Sequence, residues 1–206
     1  PSELLWVTGN GWGPLKGSLL NFSYGYGKVY VVPHEKVNGE WQGGMCALPL
    51  PQFPTGVSRG RFNPEDGQLY CCGMFAWAGN QTAPGGFYRI RYTGKPVQLP
   101  VELHAMRKGV SIKLSGEVDS KSATNPENYA VKIWGLKRSE KYGSKHIDER
   151  TLKVTSAKLS ADNKTIELQI EDIEPTWGME IKYSLLAADG KKFSSVIQNS
   201  IFRLAD

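Results

Sequence analysis

Cysteine is scarce. Cys46, Cys71 and Cys72 are the only three in 206 residues. An odd count excludes a full disulfide framework and leaves room for one bridge at most. No Cys-x-x-Cys or Cys-x-x-Cys-His spacing occurs, which excludes haem attachment and zinc-knuckle chemistry in this chain. No stretch of about 18 apolar residues is present, so no membrane-spanning helix is expected. The three histidines, His34, His104 and His146, lie far apart and form neither His-x-His nor His-Glu-x-x-His. Gly-x-Ser-x-Gly, a phosphate loop and Gly-x-Gly-x-x-Gly are all missing. The nearest glycine run, TGNGWGPLKG (8–17), precedes no helix whose N-terminus would hold an anion. Glu65-Asp66 and the group Glu171, Asp172 and Glu174 lack the alternating carboxylates of a calcium loop and read as solvated turns. The basic excess is mild, 25 basic against 20 acidic residues. Its densest stretch, KIWGLKRSEKYGSKH (132–146), mixes lysine with glutamate and aromatics. That is a solvated edge or loop, short of the stripe a nucleic-acid patch needs, with weak nucleic-acid or anionic-surface binding as a minor option. No metal ligand set and no nucleic-acid partner are therefore expected.

What is present divides the chain in two. Of the 23 glycines, 17 lie in residues 1–100, while 32 of the 45 charged residues follow residue 100. The change falls at TGKPVQLPVEL (93–103), where two prolines disfavour helix as a linker would. The expected domains are residues 1–97 and 98–206.

No window sustains a 3.6-residue period over a helix length, so the chain reads as all-β. In front, short strands alternate with glycine turns: LLNFSYG (19–25), KVYVVPHE (28–35), WQGGMCALP (41–49), GVSRGRF (56–62), QLYCCGMFAW (68–77) and GGFYRIRYT (85–93). Asn38-Gly39 is a hairpin signal, and Asn63-Pro64-Glu65-Asp66-Gly67 is a second turn in which proline presets φ and glycine accepts positive φ. Behind, seven strands are expected, beginning near residues 101, 109, 128, 152, 164, 179 and 195. In KTIELQIE (164–171), Ile166, Leu168 and Ile170 share one face. Seven strands in about 100 residues fit an immunoglobulin-type β-sandwich.

Adjacent residues of a strand point to opposite faces. Cys71-Cys72 therefore reads as two wall positions, one on each side of a sheet, poorly placed to chelate one ion; a redox vicinal disulfide, which needs an unusual backbone turn, is the minority reading. Buried cysteine acts as a small hydrophobe.

GRFNPEDGQLYCCGMFAWAG (60–79) with GGFYRIRYTGKP (85–96) resembles the closing blades of glucose/sorbosone dehydrogenase-like β-propeller proteins of planctomycetes and verrucomicrobia. GSLLNFSYGYGKVYVVP (17–33) is similar to the preceding blade. VSIKLSGEVDSKSATNPENYAVKIW (110–134) and SAKLSADNKTIELQI (156–170) are similar to bacterial Ig-like domains. The resemblance implies propeller-type blade sheets followed by an Ig-like β-sandwich. It also implies a secreted or periplasmic parent, often fused to c-type cytochrome domains, with haem c or PQQ held by the parent and no cofactor in this chain. A blade takes about 40–45 residues and a ring needs at least about four. Residues 1–97 supply about two, an incomplete ring whose exposed sheet edges call for a partner. The chain opens on Pro1 without a signal-peptide core, so a removed leader or a piece of a longer polypeptide is expected.

The expected function is a non-catalytic structural and binding module that docks the rest of the propeller or a cytochrome domain and contacts glycans. The alternatives are a wall of a quinone-dependent sugar dehydrogenase-like site, or a stand-alone carbohydrate-binding protein. No catalytic residue of that family maps onto these positions. For ligand binding the candidates are Trp77, Asn80, Arg59, Arg61 and Trp12, because ring faces stack on sugars and polar groups orient hydroxyls.

Overall fold

A computed structural model describes residues 1–75, 82–141 and 143–206. The described residues are nearly all β, and no helix among them reaches two turns of α-helix. The strands are β1 (Glu3–Trp6), β2 (Leu19–Ser23), β3 (Lys28–Val31), β4 (His34–Val37), β5 (Glu40–Ala47), β6 (Arg59–Phe62), β7 (Leu69–Met74) and β8 (Gly85–Ile90). They continue as β9 (Pro100–Met106), β10 (Gly109–Leu114), β11 (Tyr129–Lys137), β12 (Lys145–Leu152), β13 (Val154–Leu159), β14 (Thr165–Ile170), β15 (Thr176–Leu186) and β16 (Lys192–Ile201).

Two compact units form. One takes Pro1–Val32 with Ala47–Leu99, the other Pro33–Cys46 with Pro100–Asp206. The hairpin β4–β5 thus belongs to the second unit, although it lies among front-half residues that a single cut along the chain keeps together. Its turn has the expected chemistry: Asn38 and Gly39 both hold positive φ, 48° and 88°. Pro33 interrupts the run KVYVVPHE, so it folds as two strands.

In the first unit, β1, β2 and β3 pair antiparallel, and β6, β7 and β8 form a separate antiparallel sheet. Leu20, Phe22, Val29, Val57 and Leu69 are its buried core. Residues 8–17 are not a plain loop. Asn10–Leu15 coil into a short 3-10 turn that buries Trp12 and Leu15.

The second unit is a sandwich. One sheet runs β5-β16-β15-β11-β12 with β4 on β5, and the other runs β13-β14-β10-β9. Inward residues alternate as the pleat requires. Val131 and Ile133, Met179 and Ile181, Ile197 and Ile201 line the first sheet; Ile112, Leu114, Ile166 and Leu168 line the second. Strand β12 was not expected from sequence. Seven of its eight residues are exposed, so it carries no apolar alternation.

Candidate functional site

The sheet β6–β8 carries Arg59 and Arg61, two of the sequence-derived candidates. Its register sets two faces. Gly60, Cys71 and Tyr88 lie in one cross-strand row and turn inward. Gly60 is small because Phe22 lies against it: a Cβ there would stand 2.5 Å from the Phe22 ring. Tyr88 turns its hydroxyl to the buried Thr55 hydroxyl at 2.8 Å. The next row, Arg59, Cys72 and Phe87, faces outward, followed by Arg61, Tyr70 and Arg89. Met74 continues that face. Phe87 is 72% exposed and stacks on Tyr70 with ring centroids 5.8 Å apart.

The arginines are held. Arg61 donates to Glu3 Oε1 at 2.5 Å, and Glu3 Oε2 also accepts the Gly60 N–H at 2.8 Å. Arg59 donates to the Ser2 and Ser58 carbonyls at 2.7 and 2.9 Å, so no carboxylate neutralises it through these bonds. Arg59 and Arg61 remain exposed and share the outward face.

Trp12 corrects the sequence reading. It is only 3% exposed and packs edge-on against Phe62 at 5.2 Å. Its ring is core, and no ligand can stack on it. Trp77 and Asn80 lie outside the described residues. The sequence reading missed Phe87, Tyr70 and Arg89. Phe87 and Arg89 share parity in GGFYRIRYT, but only the register of β7 against β8 sets Phe87 beside Cys72.

The vicinal cysteines behave as period two requires. Cys71 is buried, Cys72 is exposed, and neither is disulfide-bonded. Burial pushes the Cys71 thiol up to about 12, with Cys72 and Glu3 adding to the rise. Cys46 is buried with its sulfur 2.9 Å from Ser195 Oγ. One fast thiol is therefore expected with a disulfide reagent near pH 8: Cys72. Cys71 and Cys46 wait for an opening that, at even about 3 kcal/mol, slows reaction about a hundredfold. Peptide mapping after timed labelling checks this, and prompt modification of Cys71 refutes it. Because Cys71 keeps its proton in the folded state well above the ordinary thiol range, its contribution to stability is full below about pH 8.5 and falls as pH climbs toward 12.

Beside this sheet two loops meet. Thr8–Gly11 and Phe62–Gly67 line a cleft of about 420 Å³. The approach is tight: a Cβ on Gly9 would stand 2.1 Å from the Gly67 carbonyl oxygen. Asp66 at its rim accepts the Gln68 N–H and the Tyr70 hydroxyl at 2.9 and 2.8 Å. These bonds hold its carboxyl below the usual carboxylate range.

Among the described residues no group of three His, Cys, Asp or Glu side chains is placed to hold a metal ion. His104 sits by Glu35 and Glu102, His146 by Glu149. Glu171 and Glu174 face Lys153 and Arg150. No helix of the described residues is long and apolar enough to cross a membrane. What the β6–β8 face offers is stacking surface, guanidinium donors and apolar area, the chemistry of binding. Comparison with protein-family models, curated proteins and solved structures finds no match to this chain.

Proposed function

We propose that this chain is a non-catalytic structural and binding module of a larger β-propeller protein, periplasmic or extracellular, with terminal blades in front and an Ig-like domain behind. The observation that carries this reading is the outward face of β6–β8. Phe87, Met74 and Cys72 stand exposed there between Arg59, Arg61 and Arg89. Large apolar side chains left on a sheet face mark an interaction surface. The occupant that fits is another sheet of the parent propeller, laid face to face as blades are, with carboxylates toward the arginines. On this reading haem c or PQQ, and any sugar dehydrogenase chemistry, belong to the parent outside these residues. Glycan contact is then a further role of the arginine-bearing face.

The test is the species in its source. An antibody to residues 98–206 should detect a protein much larger than 22.8 kDa in an extracytoplasmic fraction. Hydrogen exchange should find β8 amides slower in that parent than in the 206-residue chain. A native species near 22.8 kDa, or equal β8 exchange in both, refutes the docking role.

A further inference from the structure

The cleft beside β6–β8 plays no part in the docking reading. Its two loops, Thr8–Gly11 and Phe62–Gly67, enclose about 420 Å³. Small-ligand pockets run from about 300 to 1,000 Å³. The loops meet at one end and part at the other. At Gly9 the main chain lies against the Gly67 carbonyl and leaves no room for a Cβ. At Gly11 nothing stands within 4 Å of a Cβ, so the cleft is open there. Gly67 holds a positive φ of 66° and donates its N–H to the Asn63 carbonyl at 2.8 Å, which closes the second loop. Phe62, in the lining, is braced from behind by the buried Trp12.

The polar groups of the lining are anchored but not used up. Asn10 Oδ1 accepts from Lys16 Nζ at 2.6 Å, and its NH2 end donates to no partner among the described residues. Asn63 Oδ1 accepts the Glu65 N–H at 3.0 Å. The Glu65 carboxylate itself has no hydrogen bond or ion pair among the described residues, and neither has the Thr8 hydroxyl. Asp66 accepts one bond on each oxygen, from the Gln68 N–H and the Tyr70 hydroxyl. A carboxylate has about four lone-pair sites, so it can accept more. Phe62 and Pro64 add apolar surface. Lys16 beside Asn10 and Arg89 near Asp66 balance the two carboxylates, so the rim is close to neutral.

We infer that this cleft is a binding site for a neutral mono- or disaccharide that presents two adjacent hydroxyls. Each sugar hydroxyl both donates and accepts. The pair donates to the Glu65 and Asp66 carboxylates and accepts from Asn10 Nδ2 and the Thr8 hydroxyl. The C–H face of the sugar ring lies on Phe62 and Pro64. An anionic ligand would set its charge against Glu65 and Asp66. Calcium takes about 6–8 oxygen ligands. Here it would find two carboxylates, because Asn10 Oδ1 already holds an ammonium and Asn63 Oδ1 an N–H. The lining includes neither Arg59 nor Arg61, so the site is separate from the arginine-bearing face.

The test uses the whole 206-residue chain, titrated with cellobiose, lactose and mannobiose, against glucuronate and calcium chloride. Amide NMR should find at least one disaccharide that shifts the Gly9, Gly11 and Gly67 signals with a Kd of about 1 mM or tighter. Glu65→Gln and Asn10→Ala change exposed residues and should leave the thermal melt unchanged. Each should weaken binding at least about fivefold. Arg59→Gln should leave it as it is. The inference is overturned if no disaccharide moves these signals, or if either cleft variant binds like the parent. It is equally overturned if Arg59→Gln weakens binding as much, or if glucuronate or calcium binds more tightly. The docking reading stands or falls on β8 exchange, and its failure leaves this titration unaffected.

Discussion

Gly73→Ala should remove most of the stability of the first unit, more than about 3 kcal/mol and beyond the usual range for one added methyl. A Cβ at Gly73 would stand 1.6 Å from the Gly56 carbonyl oxygen, 2.7 Å from its carbon and 2.9 Å from Thr55 Oγ1. The atoms in the way are main chain, not the tip of a flexible side chain. They are also pinned. Gly56 donates its N–H to the Met74 carbonyl at 3.0 Å, and Ser58 donates to the Cys72 carbonyl at 2.9 Å, so residues 56–58 run hydrogen-bonded along β7. Thr55 is fully buried, with its hydroxyl bonded to the Gly56 carbonyl and the Tyr88 hydroxyl. Making room for a methyl group breaks this set of bonds in a core where each lost partner leaves a buried polar group. Gly11→Ala is the control, because nothing stands within 4 Å of a Cβ there. Thermal melts of the two variants decide it. A drop above about 12 °C is expected for Gly73→Ala, given about 4–8 °C per kcal/mol in a unit of this size. If the two variants melt alike, the close approach is not real.

Gly73 illustrates what a sequence can and cannot say. The glycine-rich texture of residues 1–100 reads as turns between short strands, and which glycine abuts which carbonyl depends on register. The opposite faces of Cys71 and Cys72 were legible because they need only the two-residue period of a strand. Arg59 and Arg61 were legible as a pair for the same reason. Trp12 was not. Its neighbours Gly11, Gly13 and Pro14 resemble an exposed turn, and only the 3-10 turn that packs it on Phe62 makes it core. Strand β12 escaped because KHIDERTL has no apolar face, and it is a strand only through its pairing with β11. The contact of Arg138 with Trp177 in the second unit was half visible. KIWGLKRSEKYGSKH shows Arg138, but Trp177, whose ring lies under its guanidinium, is about forty residues further on and reaches it only through the pairing of β15 with β11.

Gln42 ties the β4–β5 hairpin to the chain just past β16 through three hydrogen bonds, so Gln42→Leu should destabilise the second unit by about 3 kcal/mol or more. Gln42 is buried in β5. Its Nε2 donates to Glu35 Oε1 at 2.6 Å and to the Arg203 carbonyl at 2.9 Å. Its Oε1 accepts the N–H groups of Phe202 and Arg203 at 2.8 and 2.9 Å. Glu35 in turn accepts the Ala105 N–H at 2.9 Å and approaches His104 Nδ1 at 3.2 Å. One amide thus ties the hairpin to the end of β16, and through Glu35 to β9. Leucine has similar bulk and adds apolar burial, yet it strands two N–H groups and a carbonyl, each costing about 1–3 kcal/mol when left without a partner. Gln42→Glu separates bonding from packing. It keeps an acceptor for Phe202 and Arg203 but sets a second carboxylate against Glu35. Two facing carboxylates share a raised proton affinity, so this variant should be weakest at neutral pH and regain stability as pH falls and one of them takes a proton. The leucine variant has no such group to titrate and should show no recovery beyond the parent's own pH dependence. Urea unfolding at pH 7 and pH 5 distinguishes them. A Gln42→Leu midpoint within about 1 kcal/mol of the parent would mean that packing of β5 against β16, and not the amide, holds the hairpin in place.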